Sequence, residues 1–447
     1  MFQTIKNAWK VADLKKKLLF TIFILLIYRV GNALPVPYVN AATLSSYMSA
    51  NSGSIFDYLN ILSGGAFANA TLFALNVSPY ITASIILQLL CVAIPYLERL
   101  QKEGEEGRKK INRYTRYTTV VLALISAFGY YQMLKSYNAR GFAALADTGP
   151  FAMIIIIACF CAGSALVMWL AEKINENGIG NGISLILFAN IISRVPSIVS
   201  TAIRYVSGRG AFTKSDGTTG SVSWWLGTIL VVIGLIAAVA MIGFIVWMTN
   251  SERRLPVQYA KKVVGRKMYG GQSSNLPIKV NMTGVMPIIF ANSILTLPQT
   301  IQMFTGAPKS KFWQGFMSLF DTNNWFYAIL TLVLLVAFAY FYTAISFDPT
   351  EVSNNIKTQG GFIPGIRPGR PTADYIKRVL SKVTFIGAIC LAVVAVLPIV
   401  ANIISDNALK SLVFGGSSII IVVGVILETI REIEAQLTMR HYKGFLE

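Results

Sequence analysis

Acidic residues and histidine are scarce in this chain. Of 447 residues only 20 are Asp or Glu, and one is histidine, His441, set in the closing stretch MRHYKGFLE. Charged residues of both signs reach 13%, against about a quarter in ordinary soluble domains. The shortage excludes most catalytic classes. No HExxH pattern and no pair of acids occurs inside an apolar run, which removes a zinc peptidase and a membrane-embedded acid pair. No GxxxxGK[ST] loop is present, so any ATP use must come from another protein. The chain does not read as an enzyme, and neither a metal nor a cofactor is expected. Its four cysteines, Cys91, Cys159, Cys161 and Cys390, all lie in apolar runs. That is the setting of small buried hydrophobes, not of disulfides or thiolate ligands.

What is abundant is apolar surface, 54% of all residues. Ten runs of roughly 17–25 residues are long enough to cross a bilayer as helices. They centre near Leu26, Ile85, Leu124, Ile157, Ala189, Ala237, Ser293, Leu335, Val393 and Val422. The expected fold class is an all-α polytopic membrane protein. The basic residues orient it. With the N-terminus placed in the cytoplasm, 29 of the 39 Lys and Arg fall in inner segments, and none lies between Arg29 and Arg99. Both termini are then cytoplasmic under the positive-inside rule. The formal charge of +19 is mostly this topology signal rather than a nucleic-acid footprint. The first run follows LKKKLLF like a signal peptide, but Arg29 within it and the lack of a small-x-small site favour a retained span.

Loop lengths divide the chain into two halves of five spans, residues 1–210 and 211–447. The first half has a long outer segment after its first span, the second a long inner one after its first. An odd number of spans per half turns the second copy upside down, and inverted repeats build pathways around broken helices. A secondary transporter shares that plan. It usually needs ionisable groups within its spans, whereas here only Arg29 and, at run ends, Arg194 and Arg204 qualify, with no acidic relay.

Two kinds of segment depart from the apolar pattern. SGGAFANA, small and glycine-paired, leads into an apolar helix that holds Pro79 near its start, where the missing N–H costs least. Irregular backbone at membrane depth survives only under protein or water, so the stretch is either a segment entering a cavity from the outer face or a packed outer loop. On the inner side, RRLPVQYAKKVVGRKMYGGQ alternates apolar and polar residues on either side of GRK, which suggests a hairpin turning at Gly265. QGGFIPGIRPGRPT forbids a regular helix and favours a projecting, turn-rich loop.

Six stretches, in order along the chain, carry a resemblance. They are SGGAFANATLFALNVSPYITASIILQLL, QKEGEEGRKKINRYTRY, ENGIGNGISLILFANI, LPIKVNMTGVMPIIFANSIL, GGFIPGIRPGRPTADYI and FGGSSIIIVVGVILETIREIEAQ. The chain resembles the SecY family, the channel subunits of the bacterial protein-translocation machinery. The resemblance implies ten helices in two inverted five-helix halves around a central pore with a lateral gate and a plug. It implies a channel that passes unfolded secretory polypeptides across, and membrane segments sideways into, the bacterial cytoplasmic membrane.

By the same resemblance the plug is Ile61, Leu62, Ser63, Gly64, Gly65, Ala66, Phe67, Ala68, Asn69, Ala70 and Thr71. Its small side chains are expected to hold it weakly, so that it leaves when a polypeptide arrives. The pore ring is Val77, Ile81, Ile183, Leu187, Ile289 and Ile421, aliphatic groups that seal without binding the passing chain. Polar positions on the gate are Thr82, Ser84, Ser126, where the family often has glutamine, and Asn292. They read equally well as helix-packing polars. The docking surface for the SecA ATPase and the ribosome falls on loops 251–282 and 347–382. Its candidates are Arg253, Arg254, Lys261, Lys262, Arg266 and Lys267 on the first loop, and Arg367 and Arg370 on the second. Arginine forks suit both ribosomal RNA and an acidic protein face, although each charge is also accounted for by topology alone. The remaining implied partners are the small subunits SecE and SecG, signal peptides, nascent chains and the bilayer.

Overall fold

The computed structural model describes residues 2–50, 60, 63–139, 141–208, 211–213, 219–221, 223–259, 262–264, 267–269, 273–305, 311–320, 324–405 and 416–443. The chain opens with α1 (Phe2–Lys10), α2 (Ala12–Gly31) and α3 (Ala41–Ala50). Turns over residues 63–77 lead into α4 (Ser78–Ala93), with Pro79 in its first turn. Ile94, held extended before Pro95 as a residue preceding proline must be, separates α4 from α5 (Pro95–Lys102), and the axis bends there by 102°. The helices α6 (Glu105–Ala139), α7 (Pro150–Asn177), α8 (Gly182–Ile192) and α9 (Val195–Val206) follow. Pro196 in the first turn of α9 enforces the break after α8. A small hairpin, β1 (Ala211–Thr213) with β2 (Thr219–Ser221), precedes α10 (Trp224–Asn250).

The second half continues with β3 (Glu252–Tyr259), β4 (Lys262–Val264), β5 (Lys267–Tyr269) and β6 (Ser273–Lys279). Then come α11 (Met286–Thr305), α12 (Lys311–Leu319), α13 (Trp325–Ser346), α14 (Pro349–Thr358), β7 (Gly361–Phe362), α15 (Arg370–Ile404) and α16 (Gly416–Lys443).

Each of the ten expected span centres falls inside a helix. Among the described residues six helical stretches are long and apolar enough to cross a membrane, or seven if the bent α4–α5 pair is one span. Three others fall short for local reasons. Lys15, Lys16 and Lys17 occupy the start of α2, the apolar part of α11 ends at Pro298, and Glu428, Arg431 and Glu432 follow the apolar turns of α16. Helix α10 is the most lipid-like, with 11% of its apolar window buried. Its exposed Trp225 and Trp247 stand about 33 Å apart along a helix rising 1.5 Å per residue, close to the span between the aromatic belts of a bilayer.

The largest core cluster draws on α2, α4, α7, α8, α10, α11, α13, α15 and α16, so both halves of the chain share it. A second core, built on Phe67, Tyr130, Leu145 and Phe160, lies under the 63–77 turns. A third underlies the β3–β6 sheet.

Candidate functional site

The ring residues converge. Val77, Ile81, Leu187, Ile289 and Ile421 are buried members of the largest core, and half-buried Ile183 packs against them. They come from the start of α4, from α8, α11 and α16, four places far apart in the chain. The start of α8 is fixed from several sides. The Asn181 side chain accepts from the Ile183 and Ser184 N–H groups at 3.1 and 3.4 Å, as a helix N-cap does. In the loop before it, Ile179 N–H donates to Thr21 Oγ1 at 3.2 Å on α2, and Gly180 N–H to Glu432 Oε2 at 2.8 Å on α16. Three of the ring residues, Ile81, Ile183 and Ile289, line a cavity of about 20 Å³ together with Tyr80, Ser84 and Phe290. That is room for about one water.

Residues 63–77, which lead into the ring residue at the start of α4, form no regular helix and turn repeatedly. Gly64 and Gly65 sit at φ +64° and +92°, where a Cβ is strained. The expectation of a weakly held plug is corrected here. Phe67 is 2% exposed, and Ala66, Ala68 and Ala70 are buried too. Phe67 meets Tyr130 edge-on at 4.8 Å, and the Tyr130 hydroxyl donates to the Phe67 carbonyl at 2.6 Å. Asn60 Oδ1 accepts from Ala68 N–H at 3.1 Å, and Ser63 Oγ from Phe67 N–H at 3.0 Å. The far end pairs with the outer segment: Val36 N–H donates to Ala70 O and Leu72 N–H to Leu34 O. Gly163 on α7 lies so close to the Leu72 carbonyl that a Cβ there would overlap it. Small residues give close approach, not looseness. Of the other predicted plug residues, Asn69 is exposed and bonds Gly65 O, Thr71 is buried, and Ile61 and Leu62 lie outside the described residues.

The proposed gate helices are in contact, α11 lying against both α4 and α6. Thr82 and Ser84 are half-buried on α4 and Ser126 on α6, while Asn292 on α11 is buried. Thr82 Oγ1 donates to Ser78 O of its own helix at 3.1 Å, and Ser84 Oγ accepts from Gln88 Nε2 at 3.3 Å. The amide nitrogen of Asn292 is buried with no partner among the described residues. The bond that crosses from α4 to α13 joins the Tyr342 hydroxyl to Gln88 Oε1. Neither residue was among the sequence candidates. A glutamine within SIILQLL and a tyrosine within AYFYTA were the available signals, polar tips in apolar helices.

The two inner loops form one body. β3 pairs antiparallel with β6 on one side and with β7 on the other, Leu255 opposite Leu276 and Gln258 opposite Phe362. Leu255 and Val257 alternate inward over Ile356, Ile363 and Ile376, the period-two pattern of a half-buried strand. β4 and β5 pair as the expected hairpin, and Gly265 itself lies outside the described residues. Arg253, Arg367 and Arg370 are exposed. Arg254 is exposed but engaged, its Nε 2.7 Å from Glu252 Oε1 on the same strand face. Lys261 and Arg266 lie outside the described residues, as do the side chains of Lys262 and Lys267. Thr372 Oγ1 donates to the Arg367 carbonyl at 2.8 Å, which fixes the backbone beneath that arginine. Asp348 caps α14 by accepting from Thr350 N–H at 2.8 Å, and that bond holds its carboxyl below the ordinary aspartate range. Among the described residues no group of His, Cys, Asp and Glu is placed to hold a metal ion.

Comparison with known proteins places this arrangement. The SecY family model matches residues 71–430. A protein translocase subunit SecY of Streptomyces coelicolor is 43% identical over 458 residues, covering all of both chains. The subunit of that name from Mycobacterium bovis is 39% identical over 461 residues, again with full coverage of both. Among solved structures, one described as a protein conducting channel aligns with TM-score 0.62 at 18% identity, over 94% of this chain and 92% of that one. Sec61 in a canine ribosome–channel complex from the endoplasmic reticulum aligns with TM-score 0.60 at 17% identity, over 94% and 92%.

Proposed function

The chain belongs to the SecY family, and from that premise we propose that it is the protein-conducting channel of a translocation machinery in a bacterial cytoplasmic membrane. Unfolded secretory polypeptides pass through a pore between its two five-span halves, residues 1–210 and 211–447, inverted relative to each other. Membrane segments leave sideways between α4/α6 and α11/α13. The six ring residues seal the resting pore at mid-membrane, and residues 61–71 close it from outside. One observation carries this reading. Aliphatic side chains from four sequence-distant helices share one core, which also takes in Phe73 of the turn-built segment, and Ile81, Ile183 and Ile289 among them line a space for about one water. Such a seal excludes ions while making no specific bond to a passing chain.

The chain holds no phosphate loop, so the driving force comes from SecA or from the translating ribosome, docked on the β3–β6–β7 body through Arg253, Arg367 and Arg370. SecE and SecG complete the channel. Both termini are cytoplasmic. The test is reconstitution of the purified chain with SecE and SecG in vesicles, followed by SecA, ATP and a presecretory protein. Protease-protected precursor in the lumen is the expected outcome. Solute uptake without SecA, and no precursor, would overturn the reading in favour of a transporter.

A further inference from the structure

One side chain, Asn190 in the last turn of α8, is shared by the plug and the spans. Its Oδ1 accepts the Tyr28 hydroxyl of α2 at 2.9 Å and the Asn32 amide at 3.3 Å. The same Tyr28 oxygen stands 3.0 Å from Oδ1 of Asn76, near the end of the 63–77 turns and in left-handed conformation at φ 52°. Gly64, at the opposite end of those turns, rests on Asn190. A Cβ built on Gly64 would come within 3.1 Å of the Asn190 Cα and carbonyl and 2.9 Å of Ser193 Oγ, which itself donates to Asn190 O at 2.6 Å. Both ends of the 63–77 turns, the first of which carries the plug residues, are thus fastened at one place. Asn190, Tyr28 and Asn76 are all buried.

Asn190 also shares a helix face with the ring. Ile183, Leu187 and Asn190 are spaced by four and three positions, the spacing that stacks side chains on one side of a helix. Displacing α8 to widen the ring therefore displaces the plug's anchor as well. We propose that Asn190 and Tyr28 are positioning residues that couple ring and plug and so set how strong a signal sequence must be to open the channel. An entering polypeptide that pushes α8 outward draws Asn190 away from Gly64 and from the Asn76 side of Tyr28, and the plug is released. This inference rests on the channel reading given above. Tyr28 has one hydroxyl proton and two amide oxygens within reach, so it keeps a partner when one departs. A buried donor is then never stranded, and the release is reversible.

The test is made on the complete channel in spheroplasts carrying Ala68→Cys. A membrane-impermeant maleimide reaches this buried plug position from outside only when the plug has left. A matched strain without Ala68→Cys gives the background of the native cysteines. Tyr28→Phe keeps the ring stacked on Phe73 at 5.6 Å and 7° and removes the hydroxyl alone; Asn190→Ala removes the amide. Each is expected to raise the labelling rate about fivefold, the weight of one net hydrogen bond. Export of a precursor with a defective signal should rise in parallel. The double variant should exceed neither single by much, because both cut the same link. Ile186→Val, a fully buried change on the same helix, should lower thermal stability without raising labelling.

Wild-type labelling and stringency in the two folded single variants, or additive effects in the double, overturn the coupling and leave the channel reading standing. Failure of the unmodified chain to export any precursor overturns both.

Discussion

The 63–77 turns and the seam where α4 and α6 face α11 and α13 are fastened in different ways. At the turns, side chains from surrounding helices serve the segment's own backbone. Tyr130 donates to Phe67 O at 2.6 Å, and Ser164 reaches Asn76 O at 3.4 Å. At the seam, hydroxyls turn back onto their own helices. Thr82 donates to Ser78 O, Ser293 to Ile289 O at 2.8 Å and Thr296 to Ser293 O at 2.8 Å. The cause is the backbone. Turns leave N–H and C=O groups that neighbours must satisfy, whereas a helix satisfies its own. Polar contacts between helices are therefore optional and weak, averaging about 0.6 kcal/mol each in a membrane. Such a seam has few polar bonds across it to break, the Tyr342–Gln88 bond being one. A segment built this way would have to exchange its partners in order to move.

The largest effect expected lies between the two regions, at the ring. Ile81→Asn with Ile183→Asn puts two unsatisfied amides into the seal at about 1–3 kcal/mol each. Resting ion conductance in planar bilayers should rise more than about tenfold, and unchanged conductance would locate the seal elsewhere. Next comes the plug bed. Phe67→Ala leaves a cavity against Tyr130 and should weaken closure by about 3 kcal/mol, read as faster outer-face labelling of Ala68→Cys. Gly163→Ala sets a methyl against the Leu72 carbonyl and should lift the same segment at a cost of about 1–3 kcal/mol. Wild-type labelling in Gly163→Ala would show the bed to be compliant and remove half of the contrast.

A smaller change is expected at the seam. Gln88→Leu removes the bond to Tyr342 and should ease export of precursors with weak signals about two- to threefold, in keeping with about 0.6 kcal/mol. An effect as large as that of Phe67→Ala would reverse the ranking of the two regions. The smallest effect concerns neither region. Asp348 has its proton affinity lowered by the Thr350 N–H bond, below its ordinary pKa of 3.8. Its capping contribution is full above that value and fades as pH falls through the lowered one. Proteolysis within residues 349–358 should therefore be flat from pH 7 to 4 and rise only below. In Asp348→Asn, where an amide caps at any pH, that rise should disappear.

Helices were legible in the sequence because each is encoded locally; apolar length alone marks the runs centred at Leu124 or Ala237. Pro79, Pro95 and Pro196 mark helix starts for the same reason. The fastening of the turns and of the seam was not legible. Tyr130 and Phe67 are 63 positions apart, and Gln88 and Tyr342 are 254 apart, so no local pattern links them. The glycines of SGGAFANA were visible, but whether small residues mean mobility or close approach depends on what stands opposite. Here Asn190, Ser193 and Gly163 stand opposite or beside the segment. The alternation around GRK announced the β4–β5 hairpin, while the pairing of β3 with β7, a hundred residues on, required the fold. Ring membership came from family resemblance, since one aliphatic in an apolar helix looks like any other.

The two-residue strand β7 has a mechanical consequence. It ties the loop at 359–369 to β3 through Gln258–Phe362 and Tyr259–Gly361. β3 begins two residues beyond α10, β6 runs toward α11, and the loop itself joins α14 to α15. Force applied at the tip is therefore shared among the four helices that these strands and the loop connect, α10, α11, α14 and α15. A partner docked on this tip, as proposed above, would work a lever with a stiff arm, its push reaching the membrane through paired helices rather than by the bending of a single loop.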